Sequence, residues 1–165
     1  MTSRKLFLMA AMGCLLLGVS VGAARAQVQG CGDGVLDGET FDDTLRVTGT
    51  GSCTIINSTV GGDIRVINLD NVVLINNRVG GTIRVDGNAG MGTATVKENT
   101  VFRGNLVVRD METANVTENE TLTGSIRVVF NVSAFVQANI AEQVIECRGN
   151  TNVEGLFNYA PKDRC

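Results

Sequence analysis

The sequence has no histidine, no tryptophan, one tyrosine and one proline. Without imidazole, a zinc site would have to be built from thiolates or carboxylates alone. The lone proline, Pro161, falls close to the end. Long backbone hydrogen-bond ladders can therefore run uninterrupted before it, since proline cannot donate to them. Aromatic residues are 4% of the chain and the net charge is −3. An acidic chain with Phe as nearly its only aromatic is unsuited to binding nucleic acid.

Long apolar runs are also missing, with one exception at the start. There "MTSRK" precedes "LFLMAAMGCLLLGVSVG", and "ARA" follows before Gln27. A positive end, an apolar stretch and a small-residue cleavage site make up a secretory signal peptide. The apolar stretch is shorter than the roughly 20 residues of a spanning helix, and Gly13, Gly18 and Ser20 interrupt it. The expectation is cleavage after Ala26 and a secreted or periplasmic product with no membrane segment. Loss of Arg4, Lys5 and Arg25 then takes the net charge to −6. Residues 27–165 keep Cys31, Cys53, Cys147 and Cys165, an even number that suits disulfides in an oxidising compartment.

What is present is a repeat. "GGDIRV" at 61–66 returns as "GGTIRV" at 80–85. An asparagine followed after six residues by an aliphatic recurs as Asn57–Ile64, Asn76–Ile83, Asn99–Leu106 and Asn119–Ile126, with a shortened copy at Asn139–Ile145. One interval is lengthened by the insert "GNAGMG". Within each unit the apolar period is two: Ile64 and Val66 point in while Asp63 and Arg65 point out, as in a half-buried strand. A second strand places Val73, Val96, Val116 and Val136 three residues before the asparagine. Gly62, Gly81, Gly104 and Gly124 fall between strands, where glycine permits a positive-φ corner.

Short strands in a fixed order every ~20 residues predict an all-β, single-stranded parallel β-helix, a solenoid of about five to six coils. One coil cannot bury its apolar face, but stacked coils share a core. The asparagines Asn57, Asn76, Asn99, Asn119 and Asn139 are expected to form a side-chain ladder from coil to coil. The predicted layout is a signal peptide over 1–26, an N-terminal cap over 27–53, repeats over 54–147 and a C-terminal cap over 148–165. Four cysteines allow three pairings. In a stack only Cys31–Cys53 and Cys147–Cys165 avoid crossing from end to end, because bridged Cα atoms lie within about 7 Å.

The segments "GETFDDTLRVTGTGSCTI" and "VIECRGN…NVEGLFN…C", with coils of the form V-x-G-N-V-x-V between, resemble a group of bacterial secreted repeat proteins of uncharacterised role. The resemblance implies an exported solenoid with cysteines at its ends and brings no catalytic residues.

Candidate sites are few. Arg65, Arg84 and Arg127 occupy one outward slot, interrupted by Val107. Guanidinium forks suit carboxylated or sulfated polymers, so an anionic polysaccharide or a cell-surface component is the candidate partner. Asp63 and Asp86 stand two residues away on the same side and offer internal neutralisation instead. Asp33, Asp37 and Gly38 match part of a calcium loop, but Val35 and Thr44 stand where oxygen ligands belong. This reads as a soluble turn, and no metal or cofactor is expected. Glu98 and Glu118 share a slot in adjacent coils, with Asp110 and Glu112 a strand away, as paired carboxylates for glycoside cleavage would. Glycosylation sequons at Asn57, Asn115, Asn119 and Asn131 are expected from chance in an asparagine-rich repeat. The main expectation is a non-enzymatic exported rod with a structural or surface-binding role. A small carbohydrate-active protein and a self-assembling rod are the alternatives.

Overall fold

The computed structural model describes residues 27–29, 31 and 34–165, so the proposed signal peptide and Asp33 lie outside the described residues. The chain winds as a parallel β-solenoid of about seven turns, with about 19 residues per turn. Each full turn contributes one strand to each of three sheets. The first face stacks β1 (Gln27–Gln29), β4 (Leu45–Thr48), β7 (Ile64–Ile67), β10 (Ile83–Asp86), β13 (Leu106–Arg109), β16 (Ile126–Val129), β19 (Val144–Arg148) and β21 (Lys162–Arg164). The second stacks β2 (Gly34–Asp37), β5 (Ser52–Ile56), β8 (Asn71–Ile75), β11 (Thr93–Lys97), β14 (Thr113–Thr117), β17 (Ser133–Gln137) and β20 (Asn152–Leu156). The third holds the two-residue strands β3 (Thr40–Phe41), β6 (Thr59–Val60), β9 (Arg78–Val79), β12 (Thr100–Val101), β15 (Glu120–Thr121) and β18 (Ile140–Ala141).

Every strand pair is parallel and in register, so each inward slot becomes a column running along the rod. On the first face Leu45, Ile64, Ile83, Leu106, Ile126 and Ile145 stack, with Val47, Val66, Val85, Val108 and Val128 beside them. All of these are buried. Opposite them, Ile55, Leu74, Val96, Val116 and Val136 form the principal column of the second face. Aliphatic residues stacked at strand spacing bury their sides on neighbours above and below, and each stabilises by about 1.5–3 kcal/mol before chain entropy is subtracted.

The asparagine ladder exists, one residue away from expectation in its first two rungs. The buried rungs are Ser58, Asn77, Asn99, Asn119 and Asn139, with Asn158 continuing the series. The backbone N–H of each donates to the side-chain oxygen of the next: Ser58 to Asn77, Asn77 to Asn99, Asn99 to Asn119 and Asn119 to Asn139, each at 3.0 Å. Each Asn Nδ2 also reaches back to a carbonyl of the preceding coil, as Asn119 does to Val96 at 2.8 Å. Asn57 and Asn76 instead occupy the preceding position, at φ 53° and 54°, where they are exposed and bonded to each other at 2.9 Å. The displacement has a simple cause. The turn from third to first face has three residues at 61–63 and 80–82 but four at 102–105 and 122–125. Counting back a fixed interval from the aliphatic therefore lands one residue early in the shorter coils. Val73 is likewise an outward neighbour of the true core residue, Leu74.

The positive-φ corner belongs to this same position throughout: Gly38, Asn57, Asn76, Glu98, Glu118, Ala138 and Phe157. Of the glycines expected to supply it, only Gly104 has positive φ. The others are needed for close approach. A Cβ at Gly124 would lie 2.6 Å from the carbonyl carbon of Gly104 in the coil beneath.

The ends are coils rather than separate caps. Residues of 27–53 form β1 to β4 and the start of β5, and residues of 148–165 form β20 and β21, all in register with their neighbours. The reason is that their sequence keeps the same alternation as the repeats. The disulfides join Cys31 to Cys53 and Cys147 to Cys165, with Cα separations of 5.3 and 4.9 Å. Cys165 follows Arg164, which pairs with Glu146, so the second bridge links register neighbours across one strand spacing. Its Cβ packs 2.7 Å from where Gly155 would carry a Cβ. Gly155 thus ends the Ile55–Val136 column by admitting the cysteine in place of a side chain.

Asn119→Ala removes the acceptor of the buried Asn99 N–H and the Nδ2 group that binds Val96 and Asn139, and is expected to cost on the order of 3 kcal/mol. Asn76→Gly keeps the positive φ and loses one exposed bond, so it should change stability by less than about 1 kcal/mol. Denaturant unfolding of both variants distinguishes the two roles, and equal effects would refute the assignment of rungs. Replacing Cys147 and Cys165 by serine should lower stability by about 3 kcal/mol, read by the same method.

Candidate functional site

Alternation on the first face sends every second residue outward, and register stacks one of these slots into a column: Arg46, Arg65, Arg84, Val107, Arg127, Glu146 and Arg164. The three arginines singled out from sequence do share this slot. Arg65 and Arg84 are direct neighbours, while Val107 separates Arg127 from Arg84 by two coils, about 10 Å. The sequence reading missed Arg46 and Arg164. "LRV" at 45–47 carries the same pattern as "IRV" at 64–66, and would have revealed Arg46.

Guanidinium groups about 4.8 Å apart repel unless neutralised, and the neighbouring slots provide carboxylates. Arg65 Nη2 lies 2.8 Å from Asp63 Oδ2, and Arg84 Nε lies 2.7 Å from Asp86 Oδ2. Arg127 faces Glu146 of the next coil at 3.9 Å. Asp63 also accepts the Thr82 N–H on its other oxygen at 2.8 Å. It belongs to a polar series at this corner with Thr44, Thr82 and Asn105, whose side-chain oxygens accept N–H groups from the following coil, and the series ends at Ser125, whose hydroxyl donates to Gln143. Asp86 binds Arg109 as well as Arg84. Partial burial pushes the Asp86 carboxyl up, but the hydrogen bonds from Arg84 and Arg109 outweigh this and hold it below 3.8. Asp63, Arg65, Ile67, Thr82, Arg84 and Asp86 line a shallow recess. Among the described residues, neither Arg46 nor Arg164 joins an ion pair, so each end of the column carries an uncompensated cation.

The candidate carboxylate pair is bridged by a lysine. Glu98 and Glu118 do stack at adjacent corners, but Lys97 Nζ lies 3.0 Å from Glu98 and 3.8 Å from Glu118. The hydrogen bond from Lys97 holds the Glu98 carboxyl below its usual value, whereas a glycosidic general acid needs its pKa raised. Asp110 and Glu112 sit at the opposite end of β14 from Glu118, on the order of 16 Å away along the strand. They do not join the pair.

In the acidic N-terminal stretch, Asp37 accepts a hydrogen bond from Asn57 at 2.9 Å and Gly38 takes the positive-φ corner. Among the described residues no three carboxylates or thiols converge as a metal site would. Of the sequons, Asn119 and Asn131 are 1% and 2% exposed, so the folded protein offers neither for modification. Asn131 belongs to a further ladder at the corner between first and second faces, which the sequence reading missed. It accepts from the Met111 N–H at 3.0 Å, and its own N–H donates to Asn150 at 2.8 Å.

The fold and column together define a three-faced parallel β-solenoid with a charge-paired arginine face. No family model matches the chain, and no curated protein or solved structure matches it.

Because Asp86 titrates lower in the folded chain than in the unfolded one, its contribution is fully present above pH 3.8 and disappears as pH falls through the depressed folded value. Asp86→Asn removes this component. Unfolding measured from neutral pH down into the acid range should show a shallower acid decline in the variant, and superimposable slopes would disprove the pairing.

Proposed function

We propose that the protein is an exported, non-enzymatic rod with a structural or surface-binding role outside the cytoplasm. The observation that carries this reading is the closure of its ends by disulfides, Cys31–Cys53 and Cys147–Cys165, around a continuous core. Bridges of this kind persist in oxidising compartments, which fits the signal-peptide pattern at residues 1–26. The rest of the molecule supports a scaffold. Among the described residues, no buried side-chain nitrogen or oxygen lacks a hydrogen-bond partner. The acidic pair that would serve hydrolysis is tied to Lys97.

A second reading is favoured by Arg46, Arg65 and Arg84, which stand in three consecutive coils with outward guanidinium groups. Such a row suits carboxylated or sulfated polysaccharide, whose charges repeat along the chain. The acidic partners Asp63 and Asp86 compete with the polymer for the same forks, so binding by this face is weak and sensitive to salt. A self-assembling, open-ended rod is a third reading, opposed by the exposed charges Lys162, Asp163 and Arg164 on the first-face edge strand β21.

Incubation of the purified protein with neutral and anionic polysaccharides, at low and high salt, separates these roles. Retention on the anionic polymer that high salt abolishes, and that Arg65→Ala/Arg84→Ala reduces several-fold, assigns binding to the column. Shortening of the polymer would overturn the non-enzymatic reading. Absence of retention leaves the structural role and refutes the arginine site.

A further inference from the structure

Two arginines outside the first face have no carboxylate partner, and one of them is held in place by a ring. Arg78 stands outward on the third face, in register with Thr59 before it and Thr100 after it. Its guanidinium carbon lies 5.1 Å from the centre of the Phe102 ring in the next coil. Arg103 follows Phe102 and is exposed. Among the described residues, neither arginine joins an ion pair, whereas Arg65, Arg84 and Arg127 each do.

The backbone beside them is bare. The residue after the inward one of each third-face strand belongs to a column of Asp42, Gly61, Gly80, Phe102, Leu122 and Glu142, joined by hydrogen bonds of one pattern. Stacking excludes a side chain at two of these places. A Cβ on Gly61 or Gly80 would lie 2.2 or 2.0 Å from a carbonyl oxygen of the coil beneath. The surface of the rod therefore steps down beside Phe102. Gly61, Gly80, Phe102, Arg103 and Thr123 line an open recess of about 490 Å³, inside the roughly 300–1,000 Å³ range of small-ligand sites. Thr123 donates its hydroxyl to the Phe102 carbonyl at 3.3 Å, which leaves its lone pairs free to accept.

We propose that this recess binds one uronic acid unit of an acidic polysaccharide, with its carboxylate at Arg78 and Arg103 and its sugar ring against Phe102. The site rests on the polysaccharide-binding reading above, and adds to the arginine column a place for a single sugar. A guanidinium stacked on a ring keeps its N–H groups in the plane, free for the two oxygens of a carboxylate. The ring also holds the fork in place, so less side-chain freedom is lost on binding. A sugar ring is apolar on its C–H face and hydroxylated at its rim. That suits an aromatic wall beside bare backbone and a threonine hydroxyl. Opposing charge is distant. Asp42 closes the column three coils from Phe102, roughly 14 Å away, and Glu120 stands two coils from Arg78, about 10 Å. Neither pairs with Arg78 or Arg103, whereas Asp63 and Asp86 occupy the forks of the first face.

The test is NMR titration of the purified protein at low salt with a galacturonic acid trimer, beside neutral and sulfated galactose trimers. Saturable binding of the uronate is expected, weakened at least about fivefold by Arg78→Gln and by Phe102→Leu and kept in Arg65→Ala/Arg84→Ala. Arg78 is exposed and leucine keeps position 102 apolar, so both single variants should unfold as the wild type does. No saturable uronate binding, equal or tighter binding of the neutral or sulfated trimer, or affinity unchanged in both variants would overturn the proposal. Loss of trimer binding in Arg65→Ala/Arg84→Ala but not in Arg78→Gln would overturn it too, while leaving the arginine column as the polysaccharide site. Retention of the long polymer without trimer binding sinks the recess alone. Absence of both removes the reading it rests on as well.

Discussion

In-register stacking at a single strand spacing is the constraint from which the rest of this structure follows. Each residue sits over its counterpart from the coil before, so every slot must tolerate a copy of itself about 4.8 Å away. Aliphatics meet this without difficulty, which is why the inward slots hold Leu, Ile and Val almost throughout. Buried polar groups meet it only when each residue both donates and accepts along the axis. Asparagine does so at two corners, and Asp63, Thr82 and Asn105 do so at the third, between Thr44 and Ser125 at the ends of the series. The three corners are where backbone leaves the sheets, and all three are secured by side chains that take over the ladder there. Outward cations fare worst, and Arg65 and Arg84 are tolerated because Asp63 and Asp86 lie within reach.

Much of this was legible in the sequence. The period-two alternation in "DIRV" and "TIRV" gave the inward columns of the first face, and the cysteine positions fixed both pairings once stacking was assumed. The failures share a physical origin. The corner turns vary by one residue, and that variation is invisible to a motif defined by constant spacing, so Asn57 and Asn76 were taken for Ser58 and Asn77. Glycine was credited with positive φ on the strength of its local freedom. Stacking instead gave that conformation to Asn, Glu, Ala and Phe, and used glycine where the coil beneath left no room for a Cβ. The Asn131–Asn150 ladder escaped because Met111 stands in its line one coil earlier. The terminal coils passed for caps because their inward slots are partly taken by cysteine and glycine.

The candidate site was legible in kind but incomplete in extent. Sequence put Arg65, Arg84 and Arg127 in one slot and named the two aspartates that neutralise the first pair. It did not give Arg109, which stands in register with Asp86 in the next coil and pairs with it. Nor did it give the bridging of Glu98 and Glu118 by Lys97. The first lies in a column the sequence reading did not follow, and the second runs between slots, which a reading made column by column does not contain. The surface that results is a mosaic of short-range pairs on nearly flat faces. Its largest excursion is the insert at 87–92, where Met91 donates to the Asn88 carbonyl at 3.2 Å.

The placement of the disulfides also sets how the rod answers a mechanical load. A pull applied outside the two bridges does not extend the segments they enclose, because tension passes through the sulfur atoms to Cys53 at one end and Cys147 at the other. The segments between bridged cysteines, separated by 22 and 18 residues, stay slack. The interior coils between Cys53 and Cys147 then carry the force and yield by peeling, one layer after another. Each layer of about 19 residues releases roughly 60 Å of chain. A rod built this way extends in discrete steps many times its folded length while the loops at both of its ends stay closed by their bridges.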